Sequence, residues 1–364
     1  MRFTIHKSEL SKYIGIAQRA ISNKSAIQIL DGIVFEAGDD ELILSSTDLE
    51  ISINTRVACN VQEKGILVLN SEVIGNIVRK MPNDLITFSG DIEGIKVVCQ
   101  NTTFDLKGQD AIDYPSLPDP VNEITFSMDA KDLREAIRET IFSTSLDEKM
   151  LALTGILFSQ TEDAIKFVGL DGHRMSVKTY RYENSDFTDT IVPKRSLSEL
   201  SKIIEEGVVD ISIVKGHVIF TNENTTMYSR TIDKKYIDYK KIVNNQHTTK
   251  LMANRDDLVN SLERASLLVG GNGLSLSKFQ ISDGVINLHS ISDYGQLNED
   301  VNCQKIGEDL TITFNNRYVL EGLKAISDDQ VIIYFNSSLN PMIIHPKNDE
   351  EGFLYLVLPI RMAN

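Results

Sequence analysis

Tryptophan is absent from these 364 residues, cysteine occurs three times and proline eight times. Each shortage excludes something. Cys59, Cys99 and Cys303 are odd in number, far apart and embedded in strand-like runs. That excludes a disulfide framework and a Cys-x-x-Cys site, and predicts free thiols in a reducing cytoplasm. No apolar run reaches the roughly 18 residues a membrane helix needs, so no membrane span is predicted. The opening Met1-Arg2-Phe3-Thr4-Ile5-His6-Lys7 has no apolar stretch of the kind a secretion signal carries, and none is expected. Positive charge is also short: 37 Lys and Arg stand against 52 Asp and Glu, a net charge of −15. Taken whole, that argues against a simple basic surface for nucleic acid. The six histidines are too scattered for a metal site. The nucleotide-binding, zinc-protease and nucleophile-elbow motifs are missing. No catalytic residue, metal ligand or cofactor is predicted.

What the chain does contain is one pattern three times, with a period of about 120 residues, too long for a solenoid. The first copy reads as strand Arg2–Ile5, helix 7–21, strands near 29–36, 41–45 and 50–57, strand Ile66–Leu69, helix 71–81 stopped by Pro82, and three more strands to Leu106. The second repeats that order, with helices at 131–143 and 194–206, and the third has them at 254–269 and 315–326. Ile29-Leu30-Asp31-Gly32-Ile33-Val34-Phe35 aligns with Ala152-Leu153-Thr154-Gly155-Ile156-Leu157-Phe158. Ser46-Thr47-Asp48-Leu49-Glu50 takes the place of Gly169-Leu170-Asp171-Gly172-His173. The fold class is therefore α+β: three tandem copies of one domain, at 1–122, 123–247 and 248–364, each with two helices packed on antiparallel sheets.

Charge is distributed against the sign of the whole. The six helical stretches carry 15 Lys and Arg against 12 Asp and Glu, so the acidic excess lies outside them. On amphipathic helices this excess is ordinary. It acquires meaning if repetition brings the helices to one surface facing a polyanion, where phosphate contacts are independent of sequence and sensitive to salt.

The order of Met1-Arg2-Phe3-Thr4-Ile5, Leu30-Asp31-Gly32, Thr47-Asp48-Leu49-Glu50, Asp113-Tyr114-Pro115-Ser116-Leu117, Leu170-Asp171-Gly172-His173-Arg174-Met175, Ile191-Val192-Pro193-Lys194, Phe314-Asn315 and Val357-Leu358-Pro359-Ile360-Arg361-Met362 resembles the bacterial DNA polymerase sliding clamp. That family is the beta subunit of the replicative DNA polymerase III holoenzyme, and the likeness covers the whole chain. The resemblance implies a head-to-tail homodimer closed into a ring, helices lining the hole and acidic sheets outside. It implies a processivity factor that encircles double-stranded DNA and slides without sequence preference. Its partners would be the polymerase alpha subunit, the clamp loader, and other polymerases and repair proteins carrying clamp-binding peptides.

With the helices turned toward DNA as the resemblance implies, contact is expected from basic residues on or beside them: Lys12, Arg19, Lys24, Arg79, Lys80, Arg138, Lys194, Arg195, Lys202 and Lys324. Carried over by position, the resemblance places a client-peptide groove at Leu153, Leu170, Gly172, His173, Arg174, Met175, Ile237, Lys241, Ile242, Leu356, Val357, Leu358, Pro359, Ile360, Arg361 and Met362, with Arg174 and Arg361 on its edge. It sets the dimer contact at Phe104 and Leu106 on one side and Leu267 and Leu268 on the other. Ile237 stands where the family frequently has proline, and Met150 where it frequently has a basic residue. Two other readings stay open: an interaction scaffold of the same fold that does not bind DNA, and a hydrolase using Asp171 and His173.

Overall fold

A computed structural model describes residues 1–22, 27–118, 123–182, 186–243, 246–268 and 275–361. Six α-helices occur among them: α1 (Lys7–Ala17), α2 (Ser71–Lys80), α3 (Ala130–Thr140), α4 (Lys194–Ile203), α5 (Arg255–Ser266) and α6 (Asn316–Ala325). By internal contacts the chain forms two compact units, Met1–Leu133 with Arg195–Thr231, and Arg134–Lys194 with Ile232–Asn364. Packing thus groups the chain differently from its linear repeat, because strands of the middle repeat pair with strands of its neighbours.

The first unit holds two antiparallel sheets. One has the order Asn60–Glu63, Arg2–His6, Leu85–Gly90, Ile95–Cys99, Thr102–Leu106. The other has eight strands and includes the pairing of Ile51–Ala58 with Thr225–Arg230. Helix α1 buries Leu10, Ile14 and Ala17 at the expected spacing, and α2 buries Ile74 and Val78. They close over a core in which Phe3 stacks on Phe88 at 4.7 Å. Asn70 caps α2 by accepting from Val73 N at 3.0 Å.

Helix α1 is shorter than its periodicity predicts. The Ser46 hydroxyl donates to Ala17 O at 2.6 Å, the carbonyl that Ile21 N would need to continue the helix. Ile21 N bonds Gln18 O instead, and the chain leaves through a 3-10 turn. The strand Asn60–Glu63 has too few apolar residues to be read from sequence, since three of its four residues are exposed.

The second unit contains one continuous antiparallel sheet of twelve strands. Its middle is the pairing of Arg174–Arg181 with Phe353–Val357. Strand Gly295–Gly307 reaches 13 residues because it pairs first with Val285–Ser292 and then with Thr249–Asn254. Helices α5 and α6 cover a core that includes Leu258, Phe314, Leu323 and Tyr355. Gly322 makes this possible, since a Cβ there would lie 2.0 Å from the Tyr355 ring. Helix α5 ends at Ser266, with Leu267 and Leu268 in a turn; Val269 lies outside the described residues.

The repeated glycines have one physical reason. A Cβ at Gly32 would lie 2.3 Å from Val68 Cγ1, and one at Gly155 would lie 2.5 Å from Val192 O. Each glycine opens a strand that passes close against a neighbour, Gly32 opposite Asn70 and Gly155 opposite Pro193.

Candidate functional site

The corner between strands Ala164–Leu170 and Arg174–Arg181 is an Asx turn. Asp171 Oδ1 accepts from His173 N at 2.9 Å and Arg174 N at 3.0 Å, and Gly172 takes a φ of +87°. The corresponding corner of the first repeat is built the same way. Asp48 Oδ1 accepts from Glu50 N and Ile51 N, and Leu49 has a φ of +75°. The side chains then diverge. Asp171 Oδ2 receives Arg174 Nε at 2.9 Å, while Asp48 pairs with Arg195. With its oxygens committed to backbone and guanidinium, Asp171 is not oriented to serve His173 as an acid–base partner. The His173 ring instead lies against Tyr318, 5.7 Å between centroids and 16° from parallel.

Arg174 requires a correction. It was expected at the edge of a groove, but it is 6% exposed. It pairs with Asp171 and Glu321, donates from Nη2 to Phe142 O at 2.7 Å, and lies 4.6 Å from the Tyr318 ring centroid. Burial raises the Glu321 pKa, and hydrogen bonds from Arg317 and Arg174 outweigh it, so the net shift is downward. The reason for the misplacement is strand alternation. Arg174 and Val357 are register partners and belong to the helix-covered face, where Val357 joins the core of α5 and α6. Met175 and Leu356 are the next register pair and belong to the opposite face.

On that opposite face, Leu153, Leu170, Met175 and Leu356 form a buried cluster with Leu157, Ile191, Tyr239 and Ile343, and Ile242 packs against it. The chain then runs beside the corner: Leu358 N donates to His173 O at 2.9 Å and Ile360 N to Thr313 O at 2.8 Å. Above the floor, Ile237 is 48% and Leu358 38% exposed; Gly172, His173, Lys241 and Arg361 are exposed, and Pro359 and Ile360 half-buried. The expected groove residues therefore sort into an apolar floor, an exposed rim and two residues, Arg174 and Val357, on the other side of the sheet. Met362 lies outside the described residues.

Sequence reasoning missed Tyr318, Ile343 and Tyr236. Tyr236 was legible through the repeat. Its hydroxyl donates to Val168 O at 3.1 Å, as Tyr114, in the corresponding segment of the first repeat, donates to Gly32 O at 3.1 Å. Burial pushes the Tyr114 hydroxyl up to about 12 and raises Tyr236 as well.

The basic residues assigned to DNA fall into three situations. In the first unit, Lys12, Arg19, Arg79, Lys80, Arg195 and Lys202 are exposed. Several hold surface partners: Arg19 and Lys202 both pair with Glu199, at 3.3 and 2.8 Å, and Arg79 meets Gln18 and Asn76. Exposed pairs of this kind are worth at most about 1 kcal/mol and exchange readily for phosphate. In the second unit, Lys324 is exposed and pairs with Glu263 at 2.7 Å. Arg138 is partly committed, donating to Ala325 O at 2.7 Å at the end of α6, and Lys194 is half-buried, its pKa lowered by burial and by Arg174. Lys24 lies outside the described residues.

Of the residues assigned to a subunit contact, Phe104 and Leu106 lie on Thr102–Leu106, the outermost strand of the five-stranded sheet. Phe104 is exposed, while Leu106 packs partly on the core. Leu267 is 82% exposed, and Leu268 is half-buried.

Comparison with known proteins places these features in a family. The DNA polymerase III beta subunit matches domain by domain: its N-terminal domain over residues 1–118, its central domain over 127–238 and its C-terminal domain over 240–361. The chain belongs to the DNA polymerase III beta-subunit family. The "Beta sliding clamp" of Streptococcus pneumoniae is 31% identical over 99% of both chains. The crystal structure of the DNA polymerase sliding clamp from Bacillus subtilis covers all of both chains with a TM-score of 0.96 at 27% identity. That of a Putative DNA polymerase III beta subunit from Eubacterium rectale does so with 0.93 at 30%. The fold is that of the sliding clamps: three tandem α+β domains with antiparallel sheets. A processivity role in DNA replication is the family's function. Among the described residues no helix is long and apolar enough to cross a membrane, and no group of metal-ligating side chains occurs.

Proposed function

We propose that two copies of this chain, each divided into clamp domains at 1–122, 123–247 and 248–364, close head to tail into a ring that encircles duplex DNA in the cytoplasm. The ring tethers the replicative polymerase, the loader and repair proteins through the apolar floor and rim around Met175, Leu356 and Leu358. Exposed Lys12, Arg19, Arg79, Lys80, Arg195, Lys202 and Lys324 contact phosphates weakly enough for sliding. The chain has no catalytic site of its own. Asp171 works as a turn and ion-pair group, so neither the wild type nor His173→Ala is expected to hydrolyse nucleotides or DNA. A rate above blank in the wild type that the substitution removes would contradict this.

One observation supports ring closure above all. The strand following the Asx corner takes a partner strand in the same way twice within the chain. Ile51 to Thr55 pair with Ser229 to Thr225, and Arg174 to Lys178 pair with Val357 to Phe353. The corresponding stretch of the third repeat, after Asp293, is Gln296 to Asp300. It pairs along one edge with Val285–Ser292, and among the described residues its other edge has no partner in this chain. Thr102–Leu106 holds the position of Thr225–Arg230 and Phe353–Val357 in the repeat, and its outer edge is likewise open. Joining the two between copies sets Leu106 opposite Gln296 and Thr102 opposite Asp300. The same equivalence puts Phe104 where Tyr355 stands and Leu267 where Phe142 stands. Phe142 and Tyr355 lie 5.5 Å apart within the chain, so Leu267 is expected against Phe104 of the second copy. Because the two surfaces differ, the contact is heterologous, and two chains supply both contacts of a closed ring.

The test is light scattering on the wild type and on Leu267→Asp. A dimer is expected for the wild type. The buried carboxylate should weaken association by at least about a hundredfold, several kcal/mol, and leave each chain folded. A wild type that stays monomeric at micromolar concentration would contradict the ring.

A further inference from the structure

The second unit carries a cleft that shares Ile237 and Lys241 with the groove rim and continues past them along residues the groove assignment does not include. It lies beside segment 234–241, with a volume of about 480 Å³. Its floor is Leu157, Ile191 and Tyr239, which are buried members of the same apolar cluster as Met175 and Leu356. Its rim is Lys234, Lys235, Lys240 and Lys241, all exposed. Four lysines in eight positions are unexpected in a chain whose net charge is −15. Lys241 pairs with Asp238 at 2.8 Å; among the described residues, Lys234, Lys235 and Lys240 form no ion pair with a carboxylate. Asp189 and Asp238 are the acidic side chains lining the cleft.

We infer that this lysine-rimmed cleft extends the docking groove and selects peptides that carry acidic residues next to their apolar anchors. The inference rests on the reading of the neighbouring floor as a peptide site. Two features decide between a peptide and nucleic acid. The floor is apolar and continuous with the Met175 cluster, so its occupant must offer an apolar side chain, which a phosphate backbone lacks. Among the described residues Lys234 and Lys235 form no ion pair, and Lys240 feels Asp238 only at longer range than Lys241 does, so the same occupant gains from carboxylates beside that side chain. Contacts of this kind are exposed and salt-sensitive, so they tune which clients bind rather than create binding.

The experiment is fluorescence anisotropy with the full-length protein and three short labelled peptides. All share the core Leu-Ala-Leu-Phe; one has Asp-Asp-Glu before it, one has Asp-Asp-Glu after it, and one has Asn-Asn-Gln on both sides. One acidic peptide is expected to bind about tenfold more tightly than the neutral one at low salt, as three exposed ion pairs would give. That advantage should shrink at high salt and vanish in the variant Lys234→Gln/Lys235→Gln/Lys240→Gln, while the neutral peptide binds wild type and variant alike. Equal affinity for all three peptides overturns the inference and leaves the groove intact. Absence of binding by every peptide removes the groove reading and the inference with it. Loss of affinity for a short DNA duplex in the variant, with peptide binding unchanged, assigns the lysines to nucleic acid and also overturns it.

Discussion

Arg174→Ala is expected to destabilise the unit containing residues 134–194 and 232–364 by about 3–5 kcal/mol, the range found when one partner of a buried ion pair is removed. The wild-type guanidinium is almost fully buried and holds Asp171, Glu321 and the Phe142 carbonyl together. Alanine leaves Asp171 and the Phe142 carbonyl without the cation and Glu321 with Arg317 alone, and removes the planar group that rests on the Tyr318 ring. Arg174→Lys should recover only part of the loss, because an ammonium lacks the fork that serves three acceptors at once. Denaturant unfolding measures the difference. A change below about 1 kcal/mol for alanine would mean that Arg174 is an ordinary surface residue. Substitutions at Met175 are poor probes of docking for a related reason. Met175 is a core residue with no exposed surface, so a charge there would disturb folding before it disturbed binding.

The second large effect centres on Lys178, whose ammonium meets Glu135 at 2.8 Å, Glu139 at 3.1 Å and Asp349 at 3.1 Å. Glu139 is 4% exposed. Burial pushes its carboxyl up to about 7, Lys178 and Arg138 pull against that shift, and Glu135 adds to it. Lys178→Ala is expected to cost about 3–5 kcal/mol at pH 8, where Glu139 would be a buried anion left with the exposed Arg138 alone. The cost should be smaller at pH 5, where Glu139 takes up a proton. In the wild type the sign follows from the raised value. A carboxyl whose pKa is higher in the folded than in the unfolded state contributes stability that is fully present below about 4.5 and lost as pH rises through about 7. Glu139→Gln should therefore flatten the stability profile between pH 5 and pH 8. An unchanged slope in that variant would remove Glu139 as its cause.

Much of the architecture was legible because repetition multiplies weak signals. No single strand of the first repeat is decisive, but the Asp48 and Asp171 corners, the paired glycines Gly32 and Gly155 and the helix positions reinforce one another. What escaped was whatever depends on partners distant in sequence. The last turn of helix α1 gives way to a 3-10 turn where the Ala17 carbonyl accepts from the Ser46 hydroxyl, 29 residues away, a contact no periodicity reports. Lys178 sits in an alternating strand where a lysine normally faces water, and only the approach of α3 and Asp349 buries it. Arg174 was misplaced although the period-two rule was sufficient: a residue adjacent to Met175 in a strand must face the other way. The groove floor was largely found, since Leu153, Leu170, Met175 and Leu356 are apolar at positions the family marks, but Ile343 comes from a segment with no motif.

The central claim is topological, that the protein stays on DNA because it surrounds it. The most direct measurement is retention of the loaded protein on nicked circular DNA through gel filtration, before and after a single cut linearises the circle. The account predicts stable retention on the circle and rapid loss on linearisation at the same salt, since weak phosphate contacts alone cannot hold it. Equal retention on circular and linear DNA would contradict it.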